Sequence, residues 1–339
     1  MKNVLLTGGL GYIGSHLAVE LCHHGYNPII LDNLSNCHHE CLDKIQDICH
    51  SKLEFVECDI LDFDKLKSVF FNFEIDSVIH LAAKKSVSES IQYPELYFNN
   101  NVTGTENLLK IIQINSIRNF IFSSSACVYD QGNQTPIKEN AYINSINPYG
   151  NTKIQAEKKI IDYYNQFKNF NYSILRYFNP VGSHSSRIIG EDPIQNQSNL
   201  FPNILNVIMN EGKKLNVYGK NYSTKDGTPV RDYIHISDIA DGHIKSMNYL
   251  DNHGRNHVIN IGNSIGYTVL DIILTFENLI NKKIPINYCD KRDGDVAVSI
   301  ADNSLSKSLL SWAPKYDLEE MCKSALEWKQ RFPKGYLSS

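Results

Sequence analysis

No stretch of this 339-residue chain stays apolar for the roughly 18 to 20 residues that crossing a bilayer requires. The opening residues, Met1-Lys2-Asn3-Val4-Leu5-Leu6-Thr7-Gly8-Gly9, run straight into a glycine turn, which leaves no room for the core and cleavage site of a signal peptide. A cytoplasmic protein with no membrane partner is expected. Lysine and arginine nowhere cluster with interleaved aromatics, and the formal net charge is -4, so nucleic acid is not an expected partner. The motif C-x-x-C is missing too: Cys22, Cys37, Cys41, Cys49, Cys58, Cys127, Cys289 and Cys322 are scattered without metal-ligand spacing. Reduced thiols filling small apolar sites, and no metal centre, are expected. The pair His38-His39 reads as the solvated start of a polar helix. Internal repeats and low-complexity tracts are absent.

What is present is a rhythm. Short β-rich apolar runs at Asn3–Thr7, Pro28–Leu31, Leu53–Glu57, Ser77–Ala82, Asn119–Ser123 and Tyr172–Arg176 alternate with helical patterns at Tyr12–His24, Leu61–Phe71, Glu95–Gln113 and Pro148–Phe167. Such βαβ alternation predicts an α/β fold with a doubly wound parallel Rossmann-type sheet. After Asn179-Pro180-Val181-Gly182 a Gly/Ser/Asn/Asp/Pro-rich loop is expected through Asn199, opening a smaller mixed α/β substrate lobe. The segment Tyr233 to Asn263 reads as strand, helix, strand that rejoins the sheet. The expected bodies are therefore interleaved: 1–178 plus 233–263 for a cofactor, and 179–232 plus 264–339 for a substrate.

Thr7-Gly8-Gly9-Leu10-Gly11-Tyr12-Ile13-Gly14 spaces Gly8, Gly11 and Gly14 by three, directly after a strand and before an amphipathic helix. Glycines there let backbone N–H groups approach a pyrophosphate at the positive end of the helix dipole. Asp32 closes the second strand, where a carboxylate accepts both ribose hydroxyls of NAD and repels the extra phosphate of NADP. Asp59-Ile60, after the third strand, are candidates to meet the adenine ring.

Tyr149 and Lys153 stand at spacing i, i+4 at the start of a predicted helix, so phenol and ammonium share a face. The phenol of tyrosine, with its ordinary pKa near 10, is a poor base at neutral pH, and a neighbouring cation favours the phenolate. The fifth strand ends in Ser123-Ser124-Ser125, at the sheet edge where doubly wound folds place their chemistry, and Ser125 can share a substrate hydroxyl with Tyr149.

With these residues in hand the chain resembles the extended short-chain dehydrogenase/reductase family and, within it, the UDP-hexose 4-epimerases. The resemblance spans essentially the whole chain and rests on T-G-G-L-G-Y-I-G-S-H at 7 to 16, N-F-I-F-S-S-S-A at 119 to 126, P-Y-G-N-T-K at 148 to 153, L-R-Y-F-N-P-V-G at 175 to 182 and G-T-P-V-R-D-Y-I-H at 227 to 235. It implies Ser125, Tyr149 and Lys153 as the catalytic trio. It also implies NAD on Gly8, Gly11, Tyr12, Ile13, Gly14, Asp32, Asn33, Asp59, Ile60, Leu81, Ala82, Ala83, Lys85, Asn100, Ser123, Tyr149, Lys153 and Tyr177, with Lys153 on the nicotinamide ribose. The UDP-sugar falls to Asn179, Asn199, Leu200, Asn216, Tyr218, Arg231, Arg292, Asp295 and Ser299, with Lys85, Ser125 and Tyr149 shared. Arg231 and Arg292 suit a diphosphate, which forked donors neutralise. The activity implied is reversible 4-epimerisation of UDP-glucose and UDP-galactose through a 4-keto sugar.

Two rivals share the fold. A sugar-nucleotide 4,6-dehydratase of this resemblance carries an Asp-Glu pair after the fifth strand, where this chain has Ala126-Cys127. A non-catalytic NAD-sensing protein would have lost the tyrosine or lysine. The chain departs from the usual epimerase pattern at Cys127, where threonine is common, and at Asp130, where glycine is usual. In Arg292-Asp293-Gly294-Asp295-Val296-Ala297-Val298-Ser299, the small Ser299 stands where a bulky tyrosine restricts other members to plain hexoses, so N-acetylated UDP-hexoses are also expected substrates. The resemblance implies a homodimer through the helices after the fourth and fifth strands, Tyr97–Gln113 and Tyr149–Tyr164.

Overall fold

The computed structural model describes residues 1–115, 117–194, 199–210, 212–292 and 294–337. In chain order its strands are β1 (Asn3–Thr7), β2 (Asn27–Asp32), β3 (Glu54–Glu57), β4 (Ser77–His80), β5 (Asn119–Ser125), β6 (Asn171–Tyr177), β7 (Asn179–Val181), β8 (Leu215–Tyr218), β9 (Val230–His235), β10 (His257–Ile261), β11 (Gly266–Thr268), β12 (Ile286–Cys289) and β13 (Val298–Ser299). The helices are α1 (Tyr12–His23), α2 (Glu40–Cys49), α3 (Phe63–Asn72), α4 (Val87–Gln92), α5 (Pro94–Phe98), α6 (Gly104–Asn115), α7 (Pro148–Phe167), α8 (Leu200–Met209), α9 (Ile236–His253), α10 (Val269–Ile280), α11 (Ser304–Leu310) and α12 (Leu318–Arg331).

Seven strands make one parallel sheet in the order β10-β6-β5-β4-β1-β2-β3. Alternation along β1 feeds two cores: Val4 and Leu6 pack with Leu17 of α1 and Ile239 of α9, while Leu5 packs with Leu108 of α6 and Ile160 of α7. The chain winds outward from β1 to β3 and returns to β4 on the other side of β1. The β1/β4 boundary is thus the switch point where a crevice opens at the carboxyl edge. The second lobe holds the sheet β11-β9-β13, with β7 beside β9, and a separate parallel pair β8–β12. Its core joins Phe201 of α8, Phe276 of α10 and Met321 of α12.

The main elements expected from periodicity form, with instructive differences. The strand expected to run to Ala82 stops at His80, because Leu81, Ala82 and Ala83 turn into the crevice. The helix expected over Glu95–Gln113 is three pieces, α5, a π-turn at Asn99–Thr103 and α6. That wide turn lets Asn101 point inward, accepting from Lys84 N at 2.9 Å and donating to Thr152 Oγ1 at 3.0 Å, while Asn100 faces the crevice. Of the segment expected to rejoin the sheet, α9 packs on α1 and β10 pairs with β6, but β9 belongs to the second lobe. The junction between β9 and α9 is His235, stacked on Tyr316 at 4.2 Å; its Nδ1 accepts from Ser237 N and its Nε2 lies 3.1 Å from Ser324 Oγ. His38 is not solvated as expected: its Nε2 lies 3.7 Å from the Asp192 carboxylate. All eight cysteines are free. Residues 195–198 of the expected loop, and Asp293, lie outside the described residues.

Candidate active site

The glycine turn is sterically demanding. Gly8 sits at φ +70°, and a Cβ there would lie 2.7 Å from Ala82 N; at Gly14 it would lie 2.2 Å from Gly8 O. Helix α1 can therefore press its N-terminus against the end of β1. Gly11 caps it without a side-chain acceptor, and no acidic residue occupies the first turn, so its free N–H groups and positive dipole end face the crevice. Gly8, Gly11, Tyr12, Ile13 and Gly14 all line that crevice, as do Asp32, Asn33, Ile60, Leu81, Ala82, Ala83, Lys85, Asn100 and Ser123.

Asp32 is buried, which raises its pKa, against the pull of donors from Cys37, Leu34 and Leu10. Oδ1 accepts from Leu34 N and Cys37 Sγ, whereas Oδ2 accepts from Leu10 N at 3.1 Å and keeps acceptor capacity for a ligand. Asp59 does not line the crevice: its carboxylate is taken by Asn33 Nδ2 and Leu61 N, both at 2.8 Å, and Ile60 is the lining residue.

Helix α7 brings the phenol and the ammonium to the end of β5. Asn147 accepts from Gly150 N at 2.8 Å, Pro148 occupies the first turn, and a Cβ at Gly150 would lie 2.4 Å from Cys127 O. That glycine lets the helix start sit directly on the turn carrying Ser125 and Cys127. Tyr149 is buried, and burial pushes its phenol well up, the nearby Cys127 thiol adding to this and a hydrogen bond with Ser125 opposing it. Lys153 Nζ donates to Ser123 O at 2.7 Å and lies 4.8 Å from the centre of the Phe122 ring. Burial brings its pKa down to about 7, with Glu157 resisting the fall. A tyrosine, a lysine whose charge burial disfavours and a serine hydroxyl lie together at the end of β5, as proton transfer to or from an alcohol requires. Tyr177 OH lies 2.5 Å from His243 Nε2; since His243 Nδ1 is 2.9 Å from Ile239 O, Nδ1 carries the proton and Tyr177 donates.

The residues expected to hold a UDP-sugar gather on the second lobe. Arg231 on β9 pairs with Asp295, and Ser299 on β13 stands in register with Arg231. Arg292 stacks 4.0 Å over the Tyr218 ring on β8, and Asn216 accepts from Asn287 on the exposed side of the same strand. Asn179 lies on β7 beside Tyr233, Leu200 begins α8, and Asn199 at its N-cap donates to Glu191 at 2.7 Å. Arg231 and Asp295 both act electrostatically on Cys127, which ties this group to Tyr149.

Sequence reasoning missed two clusters. A strap at Gly190 to Pro193 lines the crevice and is clasped by Tyr336, whose hydroxyl meets both Gly190 N and Gly190 O at 3.1 Å and whose N–H donates to Asp192 at 2.8 Å. Glu191 on the strap accepts from Lys85 at 3.3 Å as well as from Asn199. Behind Lys153 lies a buried ion pair of Glu157 and Arg176. Both clusters join residues distant in the chain, and no local spacing announces either.

Residues 4–262 match the model of the NAD dependent epimerase/dehydratase family. The chain is 41% identical to the UDP-glucose 4-epimerase of Bacillus subtilis (strain 168) across 99% of each protein. Among solved structures it resembles the UDP-glucose-4-epimerase of Stenotrophomonas maltophila with bound NAD and formylated UDP-arabinopyranose (38% identity, 98% of this chain and 99% of that one, TM-score 0.95). It also resembles the UDP-Glc/GlcNAc 4-epimerase of Campylobacter jejuni (32% identity, 98% and 100%, TM-score 0.84). A glycine turn shaped for a pyrophosphate, a serine, tyrosine and lysine gathered at the neighbouring strand end and a full-length match lead to one conclusion: this chain belongs to the NAD dependent epimerase/dehydratase family.

Proposed function

We propose that the protein interconverts UDP-glucose and UDP-galactose by inverting carbon 4 through a 4-keto sugar, with NAD as a resident cofactor. The convergence of Tyr149, Lys153 and Ser125 beside the glycine crevice carries this reading. The residues fit NAD: the close approach of Gly8 and Gly14 leaves backbone N–H groups for the pyrophosphate, and Asp32 Oδ2 offers an acceptor for ribose. Lys153 and Tyr177 would flank the nicotinamide half, and Asn33, Ile60 and Leu81 the adenosine half. When bound, NAD accepts hydride from carbon 4 and returns it.

The chain's own part is proton handling and grip. Tyr149 takes the proton of the 4-hydroxyl and gives it back, Ser125 aligns that hydroxyl, and the Lys153 ammonium supports the phenolate. Arg231 and Arg292 hold the diphosphate, with Asn179, Asn199, Leu200, Asn216, Tyr218 and Asp295 completing the nucleotide grip. A sugar held through its diphosphate can turn its other face to the cofactor. Elimination of water needs a carboxylate pair at the end of β5, and Ala126 and Cys127 supply none, which favours epimerisation over the dehydratase alternative. We place the cofactor body at 1–178 plus 236–263 and the substrate body at 179–235 plus 264–339, because β9 pairs within the second sheet, and the protein works in the cytoplasm. No helix among the described residues is long and apolar enough to cross a membrane.

Ser299 is half-buried beside the strand that carries Arg231. Its small side chain leaves room at carbon 2, so N-acetylated UDP-hexoses are further substrates, in keeping with the similar Campylobacter jejuni enzyme. Purified protein supplied with UDP-glucose, UDP-galactose and their N-acetyl counterparts should interconvert both pairs. Ser299→Tyr should then lower N-acetyl turnover by about tenfold or more, in the range set by a pocket misfit, and spare the plain hexoses. Silence of the wild type on all four substrates, with NAD added, would sink the function; N-acetyl turnover unmoved by Ser299→Tyr would sink the gate.

A homodimer is also proposed. Leu96 and Phe98 of α5, with Ile91 and Tyr93 just before it, stay exposed beside α6 and α7. An apolar patch of this kind marks a contact surface. Sedimentation equilibrium should return twice the chain mass, and a monomer at micromolar concentration would refute it.

A further inference from the structure

Behind the trio, Glu157 and Arg176 form a fork: Nε to Oε1 at 2.9 Å and Nη2 to Oε2 at 2.6 Å, with side chains only 6% and 4% exposed. Ser124 donates a third bond to Oε1 at 2.5 Å. Arg176 Nη1 donates onward to Tyr129 OH and to Glu139 O, both at 3.0 Å, and Tyr129 OH donates to Asn260 Oδ1 at 2.6 Å. Ion pairs this deep return little net stability, because removing both charges from water offsets their attraction. The fork therefore calls for another reason, and its neighbours supply one.

Each member of the cluster adjoins a group of the site. Ser124 stands between Ser123, whose carbonyl holds Lys153, and Ser125; Glu157 follows Lys153 by one helical turn; Arg176 precedes Tyr177. We propose that Ser124, Glu157 and Arg176 are positioning residues: they lock the carboxyl end of β5 to the first half of α7 and set a carboxylate behind the Lys153 ammonium. This rests on the epimerase reading above.

The groups around Lys153 leave that role to Glu157. Glu157 faces it from α7, on which Tyr149 stands one turn earlier, His80 from β4 and Cys127 from the turn after β5, while Arg176 and Tyr177 of β6 stand behind Glu157 and beside Tyr149. His80 is held neutral, its pKa lowered to about 3 by burial and by Lys153, and the Cys127 thiol is raised by burial. Among these, Glu157 is the carboxylate, ion-paired to Arg176, and it opposes the burial that lowers Lys153.

The test is the pH profile of kcat, with KM for the UDP-hexose, in the NAD-loaded enzyme. Glu157→Gln should lower kcat about tenfold, as loss of support to a general base does, with KM changed far less, and should move the alkaline limb to lower pH because Lys153 gives up its proton sooner. Glu157→Gln combined with Arg176→Gln removes both charges and should carry the limb back toward its wild-type position. Ser124→Ala keeps the ion pair but frees Oε1, so kcat should fall about threefold, the cost of one modest hydrogen bond, while the limb moves to higher pH. That variant decides the matter if Glu157→Gln does not fold. An active wild type with kcat and limb unaltered in Glu157→Gln, or in Ser124→Ala, overturns the positioning role; an inactive wild type overturns it together with the epimerase reading.

Discussion

Tyr149→Phe should lose about 10³-fold in kcat on UDP-glucose, within the range that general-base catalysis contributes and about 4 kcal/mol of barrier. The replacement removes one oxygen and leaves the ring, which meets Tyr97 edge-on at 6.5 Å, in its packing. Tyr149 N donates to Ser90 Oγ through the backbone, so that bond survives as well. The variant should therefore keep its fold, its bound NAD and a KM close to the wild type. A decrease in kcat with KM held is the signature of an interaction made in the transition state alone. Steady-state kinetics on the purified variant, with NAD released by acid and quantified, checks both halves. Retention of more than about a tenth of wild-type kcat would remove Tyr149 from the proton path, since a general base contributes at least about 10²-fold.

The second large effect is structural in origin. Gly14→Ala puts a methyl group 2.2 Å from Gly8 O and 2.7 Å from Gly9 Cα, both backbone atoms with nowhere to move. Helix α1 would be levered off the end of β1, and with it the N-terminal turn of α1 that faces the crevice. The expected outcome is protein that purifies with less than about a tenth of the NAD of the wild type, given that each lost phosphate contact of this charged kind weakens binding by more than about 1 kcal/mol. Its melting temperature should also fall. Acid-released NAD per chain and a thermal melt are the measurements, and full cofactor content in this variant would show that the glycine approach is not what holds the pyrophosphate.

Both of these sites are legible in the sequence because their logic is local. Gly8, Gly11 and Gly14 lie within seven residues and Tyr149 and Lys153 within five, so strand-turn-helix and one helical turn suffice to arrange them. Glu157 and Arg176 are nineteen residues apart on different elements; alone, each reads as a solvated charge, and only the parallel pairing of β5 and β6 beside α7 brings them together. Tyr336 and Gly190 are 146 residues apart, beyond any pattern of spacing. Strand β9 is recognisable as a strand, but periodicity reports which residues alternate and not which neighbour they pair with, so it does not reveal membership in the second sheet. The π-turn at Asn99–Thr103 escapes for a related reason: one extra residue in a turn leaves the apolar pattern of the flanking helices nearly unchanged.

The run from β9 into α9 bears on how the molecule moves. Enzymes built from two lobes commonly open by a hinge, a few residues that absorb a large change in φ and ψ. Here the chain passes from one lobe to the other at His235, and that residue is immobilised on three sides, by the ring of Tyr316, the hydroxyl of Ser324 and the N–H of Ser237. Gape through this joint would have to break these contacts, so the joint is built as a frame and not as a hinge. Such a frame suits a catalyst that reoxidises its own NADH in every cycle, for it never needs to let the dinucleotide go.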